Sequence, residues 1–126
     1  MSYSIIKDFA FAAAHRIPDH PGKCRHLHGH NYRVRVQLEA TELDELGMVL
    51  DFADLKAMMK QVVGHFDHRV INEIPPFDER NPTAELLSEY VFRGIGERLA
   101  EDRSGRVRIR RVEVWENDAT CAVFEP

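Results

Sequence analysis

His28-Gly-His-Asn-Tyr-Arg-Val-Arg-Val-Gln-Leu-Glu-Ala40 alternates without a break. His28, His30, Tyr32, Val34, Val36, Leu38 and Ala40 share one side of an extended chain, and Asn31, Arg33, Arg35, Gln37 and Glu39 share the other. A period of two over this length predicts a half-buried strand. Residues two apart point the same way, so His28 and His30 can reach one metal ion together. Both lie on the apolar side, where two imidazoles are costly unless they are bound to something.

Upstream, Tyr3 to His15 carries Ile5, Ile6, Phe9 and Phe11 and reads as another strand. Ile17 to Lys23 holds two prolines and a glycine and must be a loop. If the two strands pair as a hairpin, His15 is placed to supply a third nitrogen. Three protein ligands with one position left open is the arrangement of a catalytic zinc site. Five of the seven histidines fall within the first thirty residues, a clustering that calls for a chemical explanation before a packing one. Cys24, four residues before His28, reads in two ways. It is a fourth ligand that closes a structural site, or a thiolate beside an open one that acts as base or nucleophile. His26 is a rival ligand on the same footing.

Downstream, a turn around Asp44 to Gly47 leads to Asp51, a plausible N-cap for a helix that places Leu55, Met58, Met59, Val62 and Phe66 on one face. Asp67 and His68 are expected at its C-terminal end, where a carboxylate could orient an imidazole. Taken alone, such neighbours are more often an ordinary surface pair. After a loop with three prolines, a second helix opens at Asn81-Pro82-Thr83 with proline at the first helical position. It carries Leu87, Val91, Ile95 and Leu99 in a stripe, is weakened locally by Gly94 and Gly96, and ends near Ser104-Gly105. Val107 to Trp115 and Thr120 to Phe124 read as strands joined by Glu116 to Ala119. Glu116 could pair with a guanidine-like donor edge of a ligand, although such a position is commonly a solvated turn.

The order strand-strand-helix-helix-strand-strand (ββααββ) predicts an α+β fold, a four-stranded antiparallel sheet with two helices on one face. The other sheet face then needs a second subunit, so a homo-oligomer is expected. The 126 residues, 1–126, suit a single domain of ordinary soluble composition, 44% hydrophobic and 30% charged. A net charge of -4 gives no reason to expect nucleic acid or an anionic membrane as partner. Arg103, Arg106, Arg108, Arg110 and Arg111 look basic, but Val107 and Ile109 alternate with three of them, as on a solvated strand face. The apolar run Phe9 to Ala14 is too short for a secretory signal or a membrane span. Two cysteines, Cys24 and Cys121, make no disulfide framework, so free thiols in a cytoplasmic protein are expected.

Phe11-Ala-Ala-Ala-His15, Cys24-Arg-His-Leu-His28-Gly-His30-Asn-Tyr32, Leu50-Asp-Phe-Ala-Asp-Leu55, Phe66-Asp-His68, Asn81-Pro-Thr-Ala-Glu85 and Val114-Trp-Glu116 stand in this order along the chain. Together they resemble the 6-pyruvoyltetrahydropterin synthase-like enzymes. The resemblance implies the tunnelling fold, in which such units assemble into an oligomeric β-barrel, usually a hexamer of two trimers with active sites at subunit interfaces. It implies Zn2+ on His15, His28 and His30, Cys24 as the catalytic base, and Asp67 with His68 as a relay pair reaching Cys24 from a neighbouring subunit. It also implies substrate contacts from Thr83 and from Glu116, the carboxylate that anchors the pterin ring.

The short Cys-x-x-x-His-Gly-His spacing is similar to the branch of queuosine (7-deazaguanine) biosynthesis. The implied activity is that of a 6-carboxytetrahydropterin synthase, which converts 7,8-dihydroneopterin triphosphate to 6-carboxytetrahydropterin, acetaldehyde and triphosphate. His26 departs from the pattern, where a basic or neutral residue is usual. Two alternatives stand beside this reading. One is formation of 6-pyruvoyltetrahydropterin with the side-chain carbons kept. The other is a non-catalytic zinc module closed by Cys24 or His26. The chemistry needs no nicotinamide, and the chain has no glycine-rich nucleotide motif.

Overall fold

The computed structural model describes residues 1–126. Two long strands, β1 (Tyr3–His15) and β2 (His28–Ala40), pair antiparallel along their full length. Two helices follow, α1 (Phe52–Val63) and α2 (Ala84–Ala100), then β3 (Arg108–Asn117) and β4 (Thr120–Phe124). The strands lie in the order β1-β2-β3-β4, each antiparallel to its neighbour. This is the expected four-stranded sheet, and both helices pack on one of its faces.

The alternation of β2 explains the packing. Tyr32, Val34, Val36 and Leu38 are buried with Val112 and Val114 of β3. Leu55, Met59 and Val62 of α1 and Leu87, Val91 and Ile95 of α2 close the same core from above. The other sheet face is charged. Arg35 donates to both carboxylate oxygens of Asp8, at 2.8 and 3.1 Å, and Glu113 accepts from Arg111 and from the Trp115 indole. No helix is long and apolar enough to cross a membrane.

Several boundaries differ from those read in the sequence. Asp51 does cap α1, accepting from the Ala53 N–H at 2.7 Å. The helix stops at Val63, however, and the chain tightens into a 3-10 turn over Gly64–Phe66 before Asp67 and His68, so that pair does not sit on the helix end itself. Pro82 is not the first helical residue. Thr83 is the N-cap, with its hydroxyl accepting from the Leu86 N–H at 3.1 Å, and Pro82 precedes it. An oxygen able to accept from the first turn outweighs proline's preference for that turn. Helix α2 ends at Ala100, ahead of Ser104-Gly105. Glu116 belongs to β3, because Asn117 makes the turn: its Oδ1 accepts from the N–H groups of Ala119 and Thr120.

Gly94 is more than a weak point in α2. A Cβ there would stand 3.0 Å from Cγ1 of Val62, so the glycine lets the two helices approach. At Gly96 the nearest atom, Cγ2 of Ile109, is an ordinary 3.7 Å away. Gly94→Val should therefore cost about 1–3 kcal/mol through overpacking. Gly96→Ala should be neutral or gain up to about 1 kcal/mol in helix propensity. Denaturant melts of the two variants check this contrast.

Candidate metal centre

The hairpin register brings the histidines together. His15 pairs directly with His28, and Ala13 with His30, so all three imidazoles leave the helix-covered face at one end of the β1-β2 ribbon. One nitrogen from each lies within 4.8 Å of the others. Ring centroids are 4.6 to 5.0 Å apart in edge-on arrangements.

Backbone carbonyls fix how two of the rings face. His15 is buried, and its Nδ1 donates to the Pro82 carbonyl at 2.7 Å. His28 Nδ1 donates to the His26 carbonyl at 2.7 Å. A carbonyl only accepts, so each Nδ1 carries the proton and each Nε2 keeps its lone pair for the cluster. His30 also presents Nε2, 3.1 Å from Nε2 of His15. Burial, the largest influence, holds the His30 pKa below its ordinary value and favours the neutral, ligating form. Three converging lone pairs, two oriented from behind by carbonyls, fit a borderline-soft divalent ion such as zinc.

Glu116 lies against this group. The register pairing Arg33 with Trp115 puts Trp115 on the charged face and Glu116, one residue on, on the helix-covered face with Tyr32. Its Oε2 is 3.2 Å from Nε2 of His15 and 3.1 Å from Nε2 of His30. The contact with His15 is the main reason its pKa falls below the usual carboxylate range. Tyr32 forms the floor. It stacks on Phe11 at 5.0 Å, meets the rings of His15 and His30 edge-on, and is 1% exposed. Its hydroxyl bonds to no protein atom, and burial pushes its pKa up, so it stays neutral.

The remaining sequence candidates lie around this centre and not in it. Cys24 sits half-buried in the 3-10 turn Lys23–Arg25, and its carbonyl accepts from the Ile17 N–H at 2.7 Å to close the loop. Neither Cys24 nor the His26 imidazole belongs to the converging donors; His26 contributes its backbone carbonyl instead. Thr83 is engaged as the α2 cap, next to the carbonyl that orients His15.

Asp67 and His68 are bound to the outer edge of β1. The Ala12 N–H donates to Asp67 Oδ1 at 3.0 Å, the His68 N–H donates to the Ala12 carbonyl at 2.6 Å, and the Ala14 N–H donates to the Arg69 carbonyl at 3.0 Å. His68 Nδ1 is 3.0 Å from Asp67 Oδ1, and the imidazole is largely exposed. The Ala12 bond is the first reason the Asp67 carboxyl is held below its ordinary pKa. His68 adopts φ 59°, a left-handed conformation uncommon outside glycine. It borders an open cleft of ≈ 460 Å³ lined by Ala12, Ala14, Gly29 and Asn31 and also by Ala13 and His30. By the strand alternation, the first four lie on the sheet face opposite His15, His28 and His30.

The pKa shifts have a common sign. In the unfolded chain His30 takes a proton near its ordinary value of 6.5, and in the folded protein only at lower pH. Stability therefore falls as pH drops through 6.5. Glu116 and Asp67, both lowered, lose their stabilising contribution as pH falls below the ordinary carboxylate range. The thermal midpoint of chelator-treated protein should decline steadily from pH 7 to pH 4. A midpoint that rises over that interval would contradict this account of the site.

Comparison with known proteins agrees with the fold. The sequence model of the 6-pyruvoyl tetrahydropterin synthase family matches residues 4–126, and the chain belongs to that family. It is 37% identical over 125 residues to the 6-carboxy-5,6,7,8-tetrahydropterin synthase of Synechocystis sp., covering 95% of this chain and 91% of that protein. To the enzyme of the same name from Rickettsia bellii it is 47% identical over 110 residues, 74% of this chain and 80% of the relative. Among solved structures, the 6-pyruvoyl tetrahydropterin synthase of Caenorhabditis elegans superposes with a TM-score of 0.84 at 26% identity, over 100% of this chain and 96% of that one.

Proposed function

We propose that this protein is a zinc-dependent lyase, a 6-carboxytetrahydropterin synthase of queuosine biosynthesis acting in the cytoplasm on 7,8-dihydroneopterin triphosphate. The observation that carries the reading is the convergence of the His15, His28 and His30 nitrogens, with backbone carbonyls behind two of the rings. The names of the Synechocystis and Rickettsia relatives support the choice of product. Bound by these three residues, zinc supplies Lewis acidity toward the hydroxyl and carbonyl oxygens of the substrate side chain.

The other roles belong to this chain's own groups. Cys24, at the mouth of the hairpin, acts as thiolate base and moves protons between side-chain carbons and ring. Asp67 holds the His68 imidazole, which receives and returns the Cys24 proton. Glu116 accepts hydrogen bonds from the amino-pyrimidine edge of the seated pterin, and Thr83, next to the Pro82 carbonyl behind His15, contacts substrate. The ring is reduced by electrons from its own side chain, so no external reductant enters, and one water is consumed as acetaldehyde and triphosphate leave.

The oligomer follows from the open sheet edges. β4 pairs only with β3, and the outer edge of β1 is covered only near Ala12 to Ala14. Edge-to-edge pairing would close a ring of subunits, and the reading is a hexamer of two such rings. Zinc-loaded protein incubated with 7,8-dihydroneopterin triphosphate should release acetaldehyde and triphosphate in equal amounts. Triphosphate without acetaldehyde would assign the pyruvoyl product instead, and release of neither would overturn the reading.

A further inference from the structure

We propose that in the substrate-free enzyme Glu116 is itself the fourth ligand of the metal held by His15, His28 and His30, and that substrate takes its place; this rests on the reading of those histidines as the metal site. Three distances carry the argument. His15 Nε2 to His30 Nε2 is 3.1 Å, His15 Nε2 to Glu116 Oε2 is 3.2 Å, and His30 Nε2 to Glu116 Oε2 is 3.1 Å. Donors about 2.0–2.1 Å from a tetrahedral zinc stand about 3.3 Å from one another. The triangle thus has the size of one face of a zinc tetrahedron, and the carboxylate oxygen occupies a corner of it.

The chemistry of the three atoms points the same way. A carboxylate oxygen only accepts, and His15 already carries its proton on Nδ1, against the Pro82 carbonyl. Lone pairs facing one another at this spacing repel unless a cation, metal or proton, lies between them. Glu116 is also held in place for the task. It lies on a paired strand, with its side chain 27% exposed, so it need not be recruited from solvent.

With His28 drawn in as the remaining donor, three nitrogens and one oxygen would fill a four-coordinate shell. The substrate's side-chain oxygens must then displace the carboxylate. One residue would keep the metal closed against other ligands at rest and yield its corner when substrate arrives.

The test uses Co2+ alone as probe, added to metal-free wild type, Glu116→Gln, Glu116→Ala and His28→Ala, with affinity measured against a competing chelator and coordination read from the visible bands. Glu116→Ala should still bind Co2+ through the histidines, at least about tenfold more weakly than wild type, with shifted bands because water replaces the carboxylate. Glu116→Gln, which keeps the shape and an amide oxygen, should fall between the two. Binding as tight as wild type or tighter in Glu116→Ala, with unaltered bands, would overturn the proposal and leave Glu116 as a partner of protonated imidazoles only. Wild-type Co2+ binding by His28→Ala would overturn the histidine site itself, and this proposal with it.

Discussion

Purified His28→Ala protein should contain little zinc, whereas Cys24→Ala should keep close to one zinc per chain and yet turn over substrate about a hundred- to ten-thousandfold more slowly. The two residues are only four apart in sequence, so the contrast depends on geometry. His28 faces His15 across the hairpin with its Nδ1 fixed by the His26 carbonyl, and its remaining nitrogen has nowhere to point but the cluster. Its loss removes one of three ligands and leaves the carbonyl of His26 unpaired. Cys24 sits in the preceding turn, outside the converging donors. Metal analysis and turnover on the same preparations check both halves. Equal zinc loss in the two variants would make Cys24 a ligand and favour a closed, structural site.

Mixed oligomers of Cys24→Ala and His68→Ala subunits should recover activity that neither variant has alone. Within one chain, Asp67 and His68 are bound to the outer edge of β1, and His68 borders a cleft that His30 also lines but Cys24 does not. Cys24 hydrogen-bonds to neither of them. A relay between Cys24 and His68 is therefore easier to build between neighbouring subunits than within one. Dissociating the two variants and reassembling them together should rebuild a statistical fraction of intact sites, up to about one quarter of wild-type turnover for equal mixing under independent pairing of adjacent chains. If both residues served from the same chain, every site in the mixture would still lack one of them. Mixtures shown by mass to contain both variants, but with no recovered activity, would rule out the shared site.

The parts of this fold that were legible in the sequence are those written in side-chain alternation. Both ends of β2 stand where the period of two placed them, and that alone set His28 and His30 on one face; β1 was legible from its β-formers and aromatics. The stripe of Leu87, Val91, Ile95 and Leu99 was legible for the same reason, since a helix buries one face. Boundaries governed by competing local preferences were less so. Pro82 and Thr83 both favour a helix start, and the hydroxyl capped it. The tightening of the chain into a 3-10 turn over Gly64–Phe66, ahead of Asp67, carried no such signal.

The histidine cluster was legible, but the groups that orient it were not. The carbonyls of Pro82 and His26 belong to the backbone and carry no residue signature. His26 drew attention for its imidazole, yet only its carbonyl reaches the centre. The closeness of Glu116 to His15 and His30 depends on the β2-β3 register, which spacing along one chain does not reveal. Tyr32 could be assigned to the core face from its position, but its place beneath the rings required the pairing with β1.

The central claim is that the three histidines at the end of the β1-β2 hairpin form the catalytic centre. Its most direct test is a titration of chelator-stripped protein with zinc, with acetaldehyde release measured at each addition. Turnover should start near zero, rise in proportion to added zinc, and level off at one ion per chain. Full turnover by the stripped protein, with no response to zinc, would contradict the claim.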